Sequence, residues 1–467
     1  MAQRKTTISG GDLTQALAAL RADLELPGEF PADVITEAQQ QAAALHAAGH
    51  VDATDVELVT LDPAGSRDLD QALWLDRRTG GGYDFAYAIA DVAAFVTAGG
   101  AIDREAHARG ETLYLPDGRI PVHPPVLSEG AASLLPGQDR PAVLWRMQLD
   151  ADGEPTSVDV RRSIVRSRAQ LDYVSPQQQG GDVADLLKEV GTLRQQRERD
   201  RGGVSLAEPE QQVERDGDGW ELTYRAPLPV EDYNAQLSLL TGMAAAKLML
   251  DGKVGLLRTM PPPSDATIAS LRRSANALGI EWRPGEAYAD VVRRLDPNVP
   301  AEAAMIRLAT VLFRGASYVA FDGSPPELST HAAVAASYAH ATAPLRRLAD
   351  RYVSECCLSL CAGEAVPDWV RVGLPALPEV MADADRRAHE VDRAVVDLAE
   401  ALILQSRCGE VFRGVVTEAG EKGGAVQLRD PAVRARLDGA NLPLGDEVDV
   451  RLESVDVAAR RVTFTLA

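Results

Sequence analysis

Apolar residues recur at helical spacing in two stretches near the start of the chain, Asp12–Leu24 and Ala32–Ala48, and Pro27 and Pro31 break the backbone between them. From about residue 55 to 170 the pattern changes. The runs VELVTL, YDFAYAIADVAAFV and AVLWRMQLDADG alternate or cluster apolar residues between Gly and Pro, which predicts strands. Beyond the polar stretch Ser175–Asp182 helical spacing returns. It predicts helices over Val183–Asp200, Asn234–Leu250, Ala266–Leu278, Ala301–Arg314, Leu345–Leu360 and Val380–Ser406, with a strand pair near Trp220–Tyr224. From Gly409 to Ala467 short alternating segments are punctuated by Gly, Asp and Pro, the pattern of a small OB-type β-barrel. The fold class expected is therefore α+β in three parts. Residues 1–52 form a helical segment of helix-turn-helix type, 53–405 a large domain that is strand-rich and then helix-rich, and 406–467 the barrel.

Composition changes this picture little. Apolar residues make up 45% of the 467 positions, enough for a large core. The stretch Leu237–Leu250 is interrupted by Ser238, Thr241, Gly242 and Lys247 and is too short to span a bilayer, and the N-terminus has no apolar signal region. Of the four cysteines, Cys356, Cys357 and Cys361 fall in one predicted helix, which reads as reduced core thiols in a cytoplasmic protein. The expectation is a monomer without a membrane partner. A net charge of −21 argues against a generally basic surface. It leaves open a local channel, because arginines cluster in short runs such as Arg272–Arg273 and Arg346–Arg351.

The stretch LVTLDPAGSRDLDQALWL carries the clearest chemistry. A strand ending at Leu61 runs into a loop with Asp62, Asp68 and Asp70. Carboxylates this close raise one another's pKa unless a cation relieves them. Mg²⁺ prefers such hard oxygen ligands, and phosphoryl transfer is the reaction that uses them. An acidic surface loop has the same spacing, so both readings stand on the residues alone. His123, His331 and His340 have no ligand spacing, and no Cys or His pair completes a zinc site with the three helix cysteines.

The same stretch resembles the signature of the ribonuclease II / ribonuclease R (RNB) family, in which a strand ending in T-I-D is followed by a D-x-D-D-A run. Asp62, Asp68 and Asp70 fall on its first three aspartates, and Gln71 stands where the family has the fourth. The resemblance continues through IPVHPPVLSEGAASLLPGQDRPAVLWRMQLDADG and SYAHATAPLRRLADRYV to the C-terminus, whose ending is similar to an S-one-type RNA-binding barrel. It implies an RNB catalytic domain over 53–405 and a hydrolytic 3′→5′ exoribonuclease. The enzyme would degrade single-stranded RNA to nucleoside 5′-monophosphates with Mg²⁺, or Mn²⁺ in its place. Asp62, Asp68, Asp70 and Gln71 would hold or orient metal and water, with Asp68, Asp70 and Arg346 as the catalytic set. Tyr114 matches a tyrosine that stacks on the 3′-terminal nucleotide, and Asp392 falls near an acidic residue that touches the terminal ribose. A second family aromatic aligns near Leu206, which cannot stack in the same way. Relatives carry cold-shock OB domains ahead of the catalytic domain, and residues 1–52 are too few for one beside their helices.

Two expectations rest on local physics. Pro344 suits a helix start, with Thr342 or Ala343 as cap, which puts Arg346 and Arg347 in the first turn against the helix dipole. A bound phosphate would reverse that cost, so both arginines are expected to contact RNA. In the barrel, Phe412, Arg413, Arg434 and Arg436 are the expected single-strand-binding face, a structural cap being the alternative. The rival functions are a non-catalytic RNA binder, which Gln71 suggests, and a DNA-directed phosphodiesterase.

Overall fold

The computed structural model describes residues 8–44, 46, 48–174, 182–206 and 209–467; the polar stretch 175–181 and positions 45 and 47 of the second predicted helix lie outside them. The large central domain is built on a seven-stranded sheet in the order Ala169–Leu171, Val59–Leu61, Gln71–Arg77, Tyr83–Ala90, Asp139–Leu149, Pro155–Arg166, Val51–Asp52. Its centre is antiparallel, and its two outermost strands join in parallel.

The strand YDFAYAIA shows why the sheet is buried on both sides. Tyr83, Phe85, Tyr87 and Ile89 point to one face, where they meet Leu186, Leu237 and Tyr352 of three helices, Asp182–Arg201, Pro229–Gly252 and Leu348–Ala362. Ala86, Ala88 and Ala90 point to the other, and their small size lets the helices Ala32–Ala43 and Ala101–Arg109 close against the sheet through Val34, Ala38 and Ile102.

The C-terminal barrel is closed by five strands, Val411–Gly420, Gly423–Leu428, Arg434–Asp438, Arg461–Leu466 and Glu447–Asp456, as its alternation predicts. A third cluster of helices, Asp265–Ala277, Tyr288–Arg293 and Pro300–Ala309, has a small core of its own around Met305 and Leu271. Among the described residues no helix is long and apolar enough to cross a membrane.

Three expectations need correction. The N-terminal helices Gly10–Asp23 and Ala32–Ala43 do not form a helix-turn-helix unit. Leu13, Leu17 and Leu20 of the first enter the core of the barrel, whereas Val34 and Ala38 of the second enter the core beneath the sheet. A short strand, Ile8–Ser9, also adds the N-terminus to the hairpin Glu210–Asp216/Gly219–Arg225. The helix Ala101–Arg109 lies inside the stretch read as strands, and the strand pair Val254–Thr259/Ser317–Asp322 lies inside the stretch read as helical. The missed helix buries charge beside its few apolar residues: Asp103 pairs with Arg351 at 2.5 Å, and Arg109 pairs with Glu105 at 2.7 Å beneath the ring of Phe30.

Candidate active site

The loop after Val59–Leu61 is fixed at several points. Asp62 N–H donates to Leu171 O at 3.1 Å, Leu69 N–H to Ser133 Oγ at 3.0 Å, and Ala90 N–H to Asp70 O at 2.9 Å. The last contact drives the Asp70 carboxyl inward, where it is buried. Its Oδ1 accepts the Leu345 N–H at 2.7 Å, and Arg346 Nε lies 3.8 Å from Oδ2. Burial pushes the Asp70 carboxyl well above the usual range, against the opposing pull of Arg346 and the Leu345 N–H. Burial, and then repulsion from Asp68, pushes Asp62 up to about 7, and Arg346 opposes it.

The second strand of chemistry comes from Ala343–Arg346. This is a turn, not the first turn of a helix: Arg346 N–H donates to Ala343 O at 3.3 Å, Arg347 caps, and the helix starts at Leu348. The reason is Asp350. It accepts the Ala343 N–H at 2.8 Å and both Arg347 Nε and Nη2, at 2.5 and 2.8 Å, and so ties the turn back to the first turn of the helix. Arg347 is consumed by this pair and almost covered, so it does not face the cavity as a phosphate ligand. Arg346 remains half-exposed with its carbonyl pinned by Thr112 N–H at 2.9 Å. The dipole argument for the two arginines therefore falls; Arg346 itself lies beside Asp70.

Asp62, Asp68, Asp70, Gln71, Tyr114 and Arg346 line one cavity of about 330 Å³. Tyr114 and Arg346 also line an adjoining cavity of about 130 Å³ with Asp392 and Glu111. Tyr114 and Asp392 then belong to a groove of about 1130 Å³ that reaches Leu206 and, in the barrel, Gln427 and Arg434. Tyr114 is 47% exposed, unusual for an aromatic ring in a folded chain, and stands where all three spaces meet. Its hydroxyl donates to Asp68 Oδ2 at 3.3 Å. Burial raises the pKa of Asp392. Gln71 opens the strand Gln71–Arg77, and its side-chain carbonyl accepts the hydroxyl of buried Tyr87.

Sequence reasoning missed Arg119, which pairs with Asp68 and with Glu129. It sits directly across a hairpin from Tyr114, on Leu113–Leu115/Gly118–Ile120. The Pro116-Asp117-Gly118 turn signal in LYLPDGRI marks that hairpin, and cross-strand pairing would have placed the two side chains together.

Among the described residues, no group of three His, Cys, Asp or Glu side chains stands at metal-binding range. The donor set nonetheless fits a hard divalent cation. Asp62 and Asp70 face one cavity, and Asp62 Oδ2 is buried with no hydrogen-bond partner. Buried His340 is held well below its ordinary pKa, first by burial and then by Arg347, Arg258 and Arg346. His340 accepts or donates at 2.5 Å with Tyr318, and burial lowers His123 to about 3 and His331 to about 4, so these histidines are neutral structural groups.

The barrel's expected binding face loses Phe412, and its arginines are engaged in ion pairs. Phe412 is buried edge-on to Phe464 at 5.8 Å. Arg413 pairs with Glu447 at 3.0 Å and Arg436 with Asp438 at 2.6 Å. Arg434, which reaches the groove, pairs with Glu418 at 2.6 Å. Behind it, Glu400 accepts Arg434 N–H at 2.6 Å and Gln211 Nε2 at 2.7 Å, joining barrel, hairpin and the helix Leu377–Leu404. Burial raises this carboxyl to about 8. A carboxyl raised on folding binds its proton more tightly in the native state, so this joint loses stability as pH rises from about 4.5 through about 8. Glu400→Gln is expected to flatten that dependence and raise the melting temperature at pH 8 relative to the parent; equal slopes in a melting series from pH 5 to 8 would refute it.

Residues 50–360 match the RNB domain family and residues 410–467 the RNase II-type exonuclease C-terminal S1 domain. The chain belongs to the RNB family. It is 28% identical to ribonuclease R of Escherichia coli over 90% of its own length and 57% of that enzyme's, so it spans little more than half of this relative. Its fold is that of Mycoplasma genitalium RNase R, solved with ribose-methylated single-stranded RNA (TM-score 0.86, 20% identity, 98% of this chain and 78% of that one). Yeast Ssd1, a pseudonuclease, is also similar (TM-score 0.68, 16% identity, 86% and 52%).

Proposed function

We propose that the chain is a hydrolytic 3′→5′ exoribonuclease that shortens single-stranded RNA to nucleoside 5′-monophosphates. The observation that carries this reading is the buried Asp70, held between the Leu345 N–H and Arg346 at a cavity whose rim is the exposed ring of Tyr114. In this reading Tyr114 stacks on the terminal base, which is tolerant of sequence. Arg346 orients the scissile phosphate and stabilises its charge. Asp392 accepts the terminal 2′-hydroxyl, the group that distinguishes RNA from DNA. Asp62 and Asp70 would hold Mg²⁺, or Mn²⁺ in its place, which when bound supplies Lewis acidity and lowers the pKa of a coordinated water.

The test is a denaturing gel with end-labelled RNA and matched DNA, in Mg²⁺ and in chelator. Stepwise loss of RNA from the 3′ end, absent in chelator and absent for DNA, is the expected result. One specific set of contacts favours a binding-only reading instead: Gln71 is neutral and held by Tyr87, and Asp68 is held by Arg119. RNA that is bound but never shortened, at any concentration of either metal, would establish that reading.

Gln71 has its own prediction. Asp62, Asp70 and substrate oxygens can satisfy an ion that keeps several waters, so activity survives and the deficit is in metal affinity. Gln71→Asp adds a carboxylate on a side chain one methylene shorter. It is expected to lower the Mg²⁺ concentration giving half-maximal rate, by severalfold; an unchanged titration curve on one short RNA would remove position 71 from the metal site.

A further inference from the structure

Arg119 has no part in the hydrolytic reading, yet it lines the same cavity and pairs with Asp68 of the acidic cluster. Its Nη1 pairs with Asp68 Oδ1, its Nε donates to Glu129 Oε1 at 3.1 Å, and its Nη2 lies 3.0 Å from the same oxygen. The hairpin fixes it there, because its cross-strand neighbour Tyr114 holds the other oxygen of Asp68 at 3.3 Å. Both oxygens of Asp68 are thus engaged by donors of the chain itself. Gln71 is likewise engaged, through the Tyr87 hydroxyl, and carries no charge. Asp62 differs: its Oδ2 is buried with no partner.

These contacts divide the cavity. On one side a carboxylate faces a fixed guanidinium, a permanent planar cation suited to that geometry. On the other side Asp62 and Asp70 face space without a cation in hydrogen-bonding contact, since Arg346 stays 3.8 Å from Asp70. Sites that clamp a phosphate between two metal ions need carboxylates open to both ions. We propose that Arg119 is a built-in counter-cation for Asp68, so that the cavity takes a single divalent ion, on the Asp62–Asp70 side. The inference rests on the hydrolytic reading for the cavity's being a metal site. In role, Arg119 is a positioning residue: it fixes Asp68 and the local charge, and the guanidinium replaces an ion that would otherwise exchange with solvent.

The experiment counts Mn²⁺ ions bound per chain, without RNA, from the loss of the free-ion paramagnetic signal. The full chain and Arg119→Lys are expected to bind one ion each. Arg119→Met, similar in length but neutral, is expected to bind two. Two ions or none on the parent chain, or one on a folded Arg119→Met, overturns the proposal. Asp68→Asn supplies a second arm should Arg119→Met fail to fold: the ion count stays at one with affinity within about threefold of the parent, and loss of that ion overturns the proposal. Because no RNA is present, the outcome separates from the hydrolytic reading. A chain whose ion count behaves as expected but which never shortens RNA sinks the reading of function and leaves the role of Arg119 in place.

Discussion

Asp70→Asn is expected to give a protein that folds, binds single-stranded RNA nearly as well as the parent, and does not shorten it. The substitution keeps the oxygen that accepts the Leu345 N–H and adds no bulk. It removes the charge that a divalent cation requires. The buried carboxyl is held well above its ordinary pKa, so at neutral pH its ionised form opposes folding; the neutral amide relieves that opposition. The melting temperature in chelator should therefore equal or exceed that of the parent. The substitution alters no residue lining the groove, so RNA affinity should persist and should fall with salt as phosphate contacts demand. Turnover near that of the parent in saturating Mg²⁺ would show that this loop is not where the chemistry occurs.

Arg346→Ala should lower kcat by about a hundredfold or more while KM changes far less, the scale on which one electrostatic donor to a transition state is felt. The structure gives the reason for the split. Arg346 is positioned by its backbone, through Thr112 and the turn at Ala343, while its side chain stays half-exposed. A guanidinium held in this way is pre-arranged and incompletely neutralised, so it can respond to charge that develops on a phosphate. Arg346→Lys should recover only part of the loss, since a point charge lacks the planar fork. A change in KM alone would make Arg346 a phosphate-positioning group.

What the sequence disclosed follows from how locally each feature is encoded. Asp62, Asp68 and Asp70 lie within nine consecutive residues after an apolar strand, so their convergence needed only a strand and a loop. The position of Arg346 was legible, but the element carrying it was not, because Asp350 satisfies the turn from a position that looks like an ordinary helix residue. The helix Ala101–Arg109 was hidden because the partner of its buried Asp103 is 248 residues away, at Arg351. The barrel face was misread against a rule the sequence itself contains. Successive strand residues face opposite ways, so Phe412 and Arg413 cannot share a surface; the structure turns Val411 and Arg413 out and Phe412 in. The pairing of Arg413 with Glu447 and of Arg434 with Glu418 depends on strand register, which no short pattern reveals.

The leucines of the first helix share their core with the barrel, with Trp220 of the hairpin and with the helix Leu377–Leu404. Two ion pairs extend the joint: Asp23 meets Arg460 of the barrel at 2.9 Å, and Arg21 meets Asp117, in the turn after Tyr114, at 2.6 Å. The barrel is consequently no pendant on a hinge. It is one wall of a keystone arch whose first stone is laid by residues 8–23, so heat should bring both down in a single cooperative transition, and a separate endotherm for the barrel would contradict this. Shaving away those few residues would expose the leucine-lined seat they fill and leave the far end of the chain, more than 400 residues distant, as the segment that comes apart.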